Sequence, residues 1–289
     1  MKIILKNKYG QFEMGGGSHP QARIINIDGL GLMAREVNSI TFEGQPGVTT
    51  TSSRDLQRTI TISLDFYGGE HEVEKLYRII YEPVEILCFF GEKRRKITGR
   101  CINACDVSSI IYREWQTVVL QFCCDNPYFC DFKNNVIKIA TPKDMLPNTF
   151  LDGEWYISLP AVATAIDNTV QVENRGSTII YPVIRLYSHK QEADSPESFG
   201  VAIKNLTTKK SIWINYNLSK EEVITIDLLK RKIKSNISGD ITNKISDDTV
   251  LGDFFLTTGA NQLRVESLNA NDLLSAEVEF TNNYVAVVM

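Results

Sequence analysis

Six cysteines, three histidines and a scatter of carboxylates are the residues of this chain whose types could do chemistry. All six cysteines lie between Cys88 and Cys130, and their spacings match no zinc-binding pattern. Four of them lie inside apolar runs typical of strands, where cysteine behaves as a small buried hydrophobic residue. We therefore predict structural thiols, with a metal site and a disulfide or redox role as the remaining alternatives.

The histidines and carboxylates predict no catalytic centre. His19, His71 and His189 are far apart in sequence, and none belongs to a nucleophile or metal-ligand motif. A glycoside hydrolase commonly needs two carboxylates at a fixed separation. Asp227 ends a predicted strand that carries no second acid, and Asp247–Asp248 lie in a polar segment. We predict no catalytic residues, no bound metal, no cofactor and no enzymatic activity.

Two tryptophans raise the question of sugar binding. Trp155 and Trp213 lie in the strand-rich second half, where exposed aromatic rings could stack on sugars. Trp213 is flanked by Ile212 and Ile214, a context that favours packing against the protein itself. Packing is the preferred interpretation, and carbohydrate binding remains the alternative.

Size, charge and hydropathy exclude several classes of protein. The chain has 289 residues, a mass of 32.6 kDa and a net charge of −4. No basic face is indicated, which argues against a nucleic-acid partner. No apolar run approaches the roughly 18 residues of a membrane span, and the N-terminal apolar run is too short for a secretory signal. We expect folding in a cytoplasm.

The elements that would position these residues are mostly strands. Apolar and polar residues alternate from Thr59 to Phe66. This two-residue period is typical of a strand with one buried face. Between Glu70 and Tyr81, apolar residues follow helical spacing, and Pro83 ends the pattern. Further predicted strands on both sides of this helix indicate an antiparallel sheet with one helix packed against it.

The second half predicts about ten short strands separated by turn residues, the pattern of a β-sandwich. We place an N-terminal domain at 1–132, a linker at 133–152 and a C-terminal domain at 153–289. The polar segment 231–249 is predicted to be a surface loop. The predicted fold class is mainly β: a sandwich-like N-terminal domain with one helix, followed by a C-terminal β-sandwich.

Several short motifs recur in an order that resembles one family, the distal tail proteins of siphophages. In the first half they include Gly44, Gly47, Arg54, Arg58, Pro127 and Tyr128. In the second half they include Asn174, Gly176, Pro182, Asp227, Gly259 and Asn261. Each motif alone is weak, but their order and spacing cover nearly the whole chain. We treat these twelve positions as structural family positions.

The resemblance implies a structural role at the tip of a phage tail. Members of the family form hexameric rings through their N-terminal, or belt, domains, and their C-terminal domain resembles a galectin or carbohydrate-binding module. The ring joins the tail-tube protein to a tail-associated hub or spike protein, with a receptor-binding protein as a further partner. The expected location is the virion tail tip, after assembly in the host cytoplasm. The alternative is a carbohydrate-binding host-adhesion protein of a phage or phage-like particle.

Overall fold

The computed structural model describes residues 1–16, 22–44, 46–67, 70–104, 115–139, 169–188, 200–219, 221–267 and 274–287. The chain divides into two compact units, Met1–Phe132 with Asn283–Met289, and Lys133–Asn282. This division differs from the predicted domains in two places. Asn135–Ile139 is a strand of the second unit rather than part of a linker, and Asn283–Met289 belongs to the first unit.

The first unit begins with ten strands and one helix among the described residues, in the following chain order: β1 (Lys2–Asn7), β2 (Gly10–Gly15), β3 (Ala22–Asp28), β4 (Arg35–Ile40), β5 (Thr49–Asp55), β6 (Arg58–Tyr67), α1 (Glu70–Ile80), β7 (Val84–Phe90), β8 (Lys93–Ala104), β9 (Trp115–Cys124) and β10 (Phe129–Cys130).

The second unit follows with β11 (Asn135–Ile139), β12 (Thr169–Asn174), β13 (Val183–Ser188), β14 (Val201–Asn205), β15 (Lys210–Ile214), β16 (Val223–Asp227), β17 (Lys232–Ser235), β18 (Gly239–Asp240), β19 (Gly259–Ser267) and β20 (Leu274–Phe280). Two short 3₁₀ helices lie at Thr242–Lys244 and Leu251–Asp253. The chain then returns to the first unit with β21 (Asn283–Tyr284).

The long strand β8 joins the two layers of the first unit. Its first half pairs with β7, and its second half pairs with β9. The strand order β2-β1-β7-β8-β9-β6-β3 follows, with every pairing antiparallel. A side chain at Gly99, where the partner changes, would lie 2.9 Å from Cys124 Sγ. The absence of a side chain therefore allows the two layers to approach there.

Alternation along the strands builds the core of the first unit. Ile60, Ile62 and Leu64 are completely buried on one face of β6, as the period-2 pattern predicts. Helix α1 contributes Leu76, Ile79 and Ile80 to the same core. Asn7 Nδ2 donates to the Ile79 carbonyl at 2.6 Å, which satisfies one of the acceptors left unpaired at the end of a helix.

Two sheets face each other in the second unit. One has the strand order β11-β20-β13-β16-β17-β18, and the other has the order β12-β19-β14-β15. Buried residues from both sheets form a single hydrophobic cluster, as in a β-sandwich. The prediction of a loop at 231–249 was wrong in part, because Lys232–Ser235 is a strand whose Ile233 is completely buried.

The predicted fold class, mainly β with antiparallel sheets and one helix, is confirmed for the described residues. The described helix α1 has 11 residues, and within those ranges no helix is long and apolar enough to cross a membrane. The predicted strand around Trp155 lies outside the described residues.

Candidate functional site

A two-stranded ribbon of the first unit, comprising β4, β5 and the connection between them (residues 35–55), is the candidate functional site. Its strands pair with each other and with no other described strand. Nearly all of its described residues are exposed. An isolated pair of strands is marginally stable in water unless it packs against another surface. The ribbon therefore has the properties of a segment that docks on a partner.

Side chains along the ribbon hold its two strands in register. Arg54 Nε donates to Glu36 at 2.5 Å, and Asn38 Nδ2 donates to Ser52 Oγ at 3.1 Å. The hydroxyl of Thr51 donates to the Asn38 carbonyl, beside a β-bulge. These cross-strand contacts favour the hairpin geometry, but they bury no apolar core.

The described residues at the tip of the ribbon include two glycines with positive φ and two exposed apolar side chains. Gly44 and Gly47 have φ values of +81° and +91°, a backbone region that favours glycine. Phe42 and Val48, on the two sides of the tip, are 52% and 66% exposed. Exposed apolar side chains that cluster on one element often mark an interaction site.

The base of the ribbon is fixed by Asp55. Its carboxylate accepts from Arg35 Nε at 2.7 Å and from the Tyr128 hydroxyl at 2.6 Å. The Arg35 guanidinium and then the Tyr128 hydroxyl lower the pKa of Asp55 below its ordinary value. The amide of Leu56 donates to the Ala34 carbonyl at 2.9 Å and closes the base.

Arg58 is the central residue beneath the ribbon. It is 2% exposed, and its guanidinium donates to four backbone carbonyls, those of Gly29, Gly31, Pro127 and Val285, at 2.5–2.7 Å. The guanidinium also lies 4.7 Å from the centre of the Phe129 ring. Burial lowers the pKa of Arg58. The Arg58 side chain thus binds three other segments of the chain to β6, the strand that follows the ribbon.

A second arginine binds the returning C-terminal segment. Arg95 Nη1 donates to Asp131 Oδ1 at 2.7 Å, and its guanidinium lies 3.6 Å from the centre of the Tyr284 ring. The Tyr284 hydroxyl donates to Asp131 Oδ2 at 3.2 Å. The sequence analysis assigned Arg95, Asp131 and Tyr284 no site role. The hydrogen bond between Asp131 and Tyr284 joins residues 153 positions apart, so no local pattern could predict it.

The six family positions of the first unit come together at the ribbon and its base. Gly44, Gly47 and Arg54 belong to the ribbon, while Arg58, Pro127 and Tyr128 fix its base. The sequence does contain an indication that Arg58 is buried. It lies two residues before Ile60, and alternate residues of a strand point to the same face, which in β6 is the buried one.

The family positions of the second unit support turns rather than a ligand site. Asn261 is fully buried and bonds to Thr257 and to the Gly259 carbonyl. Asn174 accepts from the Gly176 amide at 2.8 Å and donates to the Thr178 carbonyl at 2.9 Å. Each buried amide therefore finds partners within the fold, as buried polar groups must.

The remaining second-unit positions also have local roles. Asp227 accepts from the Lys230 amide at 2.9 Å in the turn after β16. Pro182 is buried immediately before β13. Asn205 begins the hairpin turn that the sequence predicts at 205–209, and it is completely buried and donates to the Phe255 carbonyl at 2.9 Å.

No described group of residues provides an alternative catalytic or metal site. Within the described ranges, no cluster of three or more histidine, cysteine or acidic residues could hold a metal ion. Burial raises the pKa of Cys88 and of Cys124 to about 12, which suppresses the thiolate form that metal binding and nucleophilic chemistry need. His19, His189 and Cys105 lie outside the described residues.

The buried carboxylate of Glu222 is engaged in structure. It is completely buried and accepts from the Tyr216 hydroxyl at 2.8 Å, from the Ser219 amide at 2.7 Å and from the Ser235 hydroxyl. Because hydrogen-bond donors surround this acid, it stabilises the connection between β15 and β16. Asp247–Asp248, in contrast, are exposed.

The tryptophan considered for sugar binding is partly buried. Trp213 Nε1 donates to Ser211 Oγ at 3.1 Å, and Lys204 Nζ lies 5.2 Å from the centre of its ring. Lys204 also forms an ion pair with Glu266 at 2.6 Å. Trp155 lies outside the described residues. The Trp213 ring is thus only partly exposed, and it has the charged groups of Lys204 and Glu266 beside it, so the structure leaves both packing and sugar contact open for this residue.

Comparison with known proteins points to phage tails. Residues 176–284 match the family model described as siphovirus-type tail component, C-terminal domain. No curated protein sequence matches the chain at a significant level.

Two solved structures resemble the chain as a whole. The SPP1 Dit (gp 19.1) protein, described as a hub adsorption apparatus in Gram-positive infecting phages, has a TM-score of 0.63 at 14% identity, over 90% of this chain and 92% of that one. A chain of the phage P2 baseplate in its activated conformation with Ca has a TM-score of 0.52 at 12% identity, over 97% of both chains. At these identities the likeness concerns the fold, and it extends across both units. The resemblance predicted from the sequence is therefore confirmed: residues 176–284 match the C-terminal domain model of siphovirus-type tail components, and the chain as a whole has the fold of the SPP1 Dit protein.

Proposed function

We propose that the chain is a structural hub protein of a phage tail tip, where six copies form a ring. The observation that carries this proposal is the fold shared with the SPP1 Dit hub protein over 90% of the chain, together with the family match at 176–284. The role is non-enzymatic: the protein joins other tail components and transforms no substrate.

The first unit, Met1–Phe132 with Asn283–Met289, forms the ring. In a closed ring, a patch on one subunit meets a different patch on the next. The ribbon is suited to such a contact because its strands have no third partner among the described strands of their own unit. The base, fixed by Arg58 and Asp55, holds the ribbon in one direction, so a neighbour meets a preorganised surface.

The ring joins the tail-tube protein on one side to a tail-associated hub or spike protein on the other. The second unit provides the surface available to a receptor-binding protein. The protein is located at the tail tip of the virion after assembly in the host cytoplasm. This assignment follows the hub and baseplate descriptions of the two similar structures.

Light scattering and negative-stain microscopy of the purified chain test the proposal. We expect a ring whose mass is six times that of the 32.6 kDa chain. Immunogold labelling of the phage that encodes the protein should place it at the tail tip. Particles that remain monomeric at every concentration, combined with labelling elsewhere on the virion, would contradict the proposal.

Carbohydrate binding by the second unit is the second candidate function. The observation in its favour is Trp213, an aromatic ring with Lys204 and Glu266 beside it. Pull-down with host cell-wall polysaccharide should then retain the protein and lose it on Trp213→Ala. Tyr187→Ala, on the other sheet, is the control. If the wild-type protein is not retained, the adhesion role is excluded.

A further inference from the structure

The ribbon tip carries one unpaired charge in an apolar setting. Along the ribbon, Arg35 pairs with Asp55 and Arg54 pairs with Glu36. Glu43 is the remaining charged residue of the described ribbon, and it is exposed between Phe42 and the tip glycines. The tip therefore presents apolar side chains with a net negative charge.

A groove on the same unit is also lined by apolar side chains. It has a volume of about 560 Å³ and lies along β3. Its lining includes the apolar side chains of Met1, Ile24, Ile25, Leu30 and Phe90. Ile25 is 54% exposed, which shows that this apolar surface is open to solvent.

The groove also contains one ionisable side chain among its described lining residues, that of Arg23. Arg23 forms no ion pair with another described residue. The strand that carries it, β3, pairs with β6 on one side only, so its other edge remains open among the described strands. The groove is therefore an apolar surface whose charged side chain is that of Arg23, with Asp65 opposite it on β6, beside a strand edge that can accept a partner.

We propose that the ribbon tip of one subunit docks in the β3 groove of the next copy of this chain, with Glu43 facing Arg23 and Phe42 and Val48 covering the apolar lining. This inference rests on the proposed ring and names the two surfaces that close it. The tip and the groove are different patches of one unit, so the contact is heterologous, as ring closure requires. Complementary charge fixes the register, while apolar burial supplies most of the affinity.

Charge reversal tests the pairing directly. Glu43→Arg and Arg23→Glu should each weaken self-association by about tenfold or more, because each places like charges in contact. The double variant carries both reversals and should recover association to near the wild-type level. Analytical ultracentrifugation over a concentration series gives the dissociation constants.

Matched controls come from helix α1 of the same unit. Glu74 and Arg78 are exposed on α1, and neither lines the groove nor belongs to the ribbon. Glu74→Arg and Arg78→Glu make the same changes in net charge and should leave association unchanged. Thermal unfolding of each variant as an isolated subunit separates effects on the fold from effects on association: Arg23→Glu, opposite Asp65, should lower stability slightly, and the other exposed reversals should match the wild type.

The apolar part of the contact needs its own test. Phe42→Ser should weaken association without lowering the stability of the subunit, because Phe42 is half exposed and makes no core contact. A residue that merely stabilised the ribbon would change protection from proteolysis in the isolated subunit as well.

The outcomes separate this inference from the proposed function. If the wild type forms a ring and both single reversals leave it intact, the docking contact is wrong and the hub role stands. The same holds if the double variant fails to recover. Reversals that spare the ring but block incorporation into tails would assign the groove to another tail protein. A wild type that never associates would overturn both the ring and the contact.

Discussion

Arg58 shows what a single buried charge does in this fold. Four carbonyl oxygens and the Phe129 ring replace the water that its guanidinium gives up on burial. Its donors meet the segment before the ribbon, the turn at Pro127 and the C-terminal segment. The sequence analysis identified Arg58 as a family position, but the carbonyls that it binds come from segments that no local pattern connects.

Removing this guanidinium should destabilise the first unit strongly. Arg58→Leu leaves four buried carbonyls without their donor, at a cost of about 3 kcal/mol or more. Arg54→Leu, which removes an exposed ion pair of the ribbon, should cost less than about 1 kcal/mol. Hydrogen exchange in a denaturant series measures each unit separately. Equal effects of the two substitutions would show that Arg58 does not organise the ribbon base.

Asp55 should make the ribbon base sensitive to acid. Because its pKa is lowered in the folded state, the stabilisation is fully present above the unfolded value of about 3.9 and is lost as pH falls through the folded pKa. Exchange of the Leu56 amide, corrected for intrinsic rate, should therefore accelerate in acid. Asp55→Asn removes the titrating group, so the acid-dependent acceleration should disappear. An unchanged pH profile in this variant would contradict the assignment.

Among the secondary-structure elements, those with one buried face were predicted correctly, because burial makes apolar residues recur with the period of a strand or a helix. Burial alternates along β6 from Arg58 to Asp65, and α1 ends at Ile80, one residue before the predicted end. Strand β5, with the sequence Thr-Thr-Thr-Ser-Ser-Arg-Asp, was not predicted because no residue in it faces a core. Of the two ribbon strands, the sequence therefore predicts only the first, around Asn38–Phe42, which the structure places at Arg35–Ile40.

The turn that leads from β3 to the ribbon depends on Gly29. Its φ is +89°, and a Cβ there would lie 2.1 Å from the Thr59 carbonyl oxygen. Gly29→Ala should therefore destabilise the first unit by at least about 2 kcal/mol through strain and displacement of the β6 backbone. Thermal unfolding and hydrogen exchange across β3 and β6 should both report the loss.

Gly91→Ala is the matched control for that turn. Gly91 has a positive φ of +60° but no atom within 4 Å of an added Cβ. It should cost only the backbone strain of a left-handed alanine, about 1–2 kcal/mol. If both substitutions cost the same, the close approach of Thr59 would have no role in holding the ribbon.

At the scale of the whole molecule, the chain order and the folded units do not coincide. The first unit lacks β21 until the second unit has been made, because Asn283–Tyr284 pairs with β10 only after the chain returns. The predicted C-terminal domain, 153–289, included Asn283–Tyr284, because the sequence analysis could assign a segment only to the domain next to it in the chain. Long-range pairing of a two-residue strand leaves no periodic signal.

Truncation tests the returning segment. A chain that ends at Asn282 loses the Val285 carbonyl that accepts from Arg58, the Tyr284 ring beneath Arg95 and the bond from the Val287 amide to the Leu30 carbonyl. We expect faster hydrogen exchange in β8, β10 and the segment around Leu30, with exchange in β13, β16 and β19 unchanged. A chain that ends at Val287 keeps all three contacts and should behave as the full-length protein. Equal protection in both truncated chains would mean that the first unit is complete without its last strand, and faster exchange throughout the second unit would mean that the segment stabilises both units.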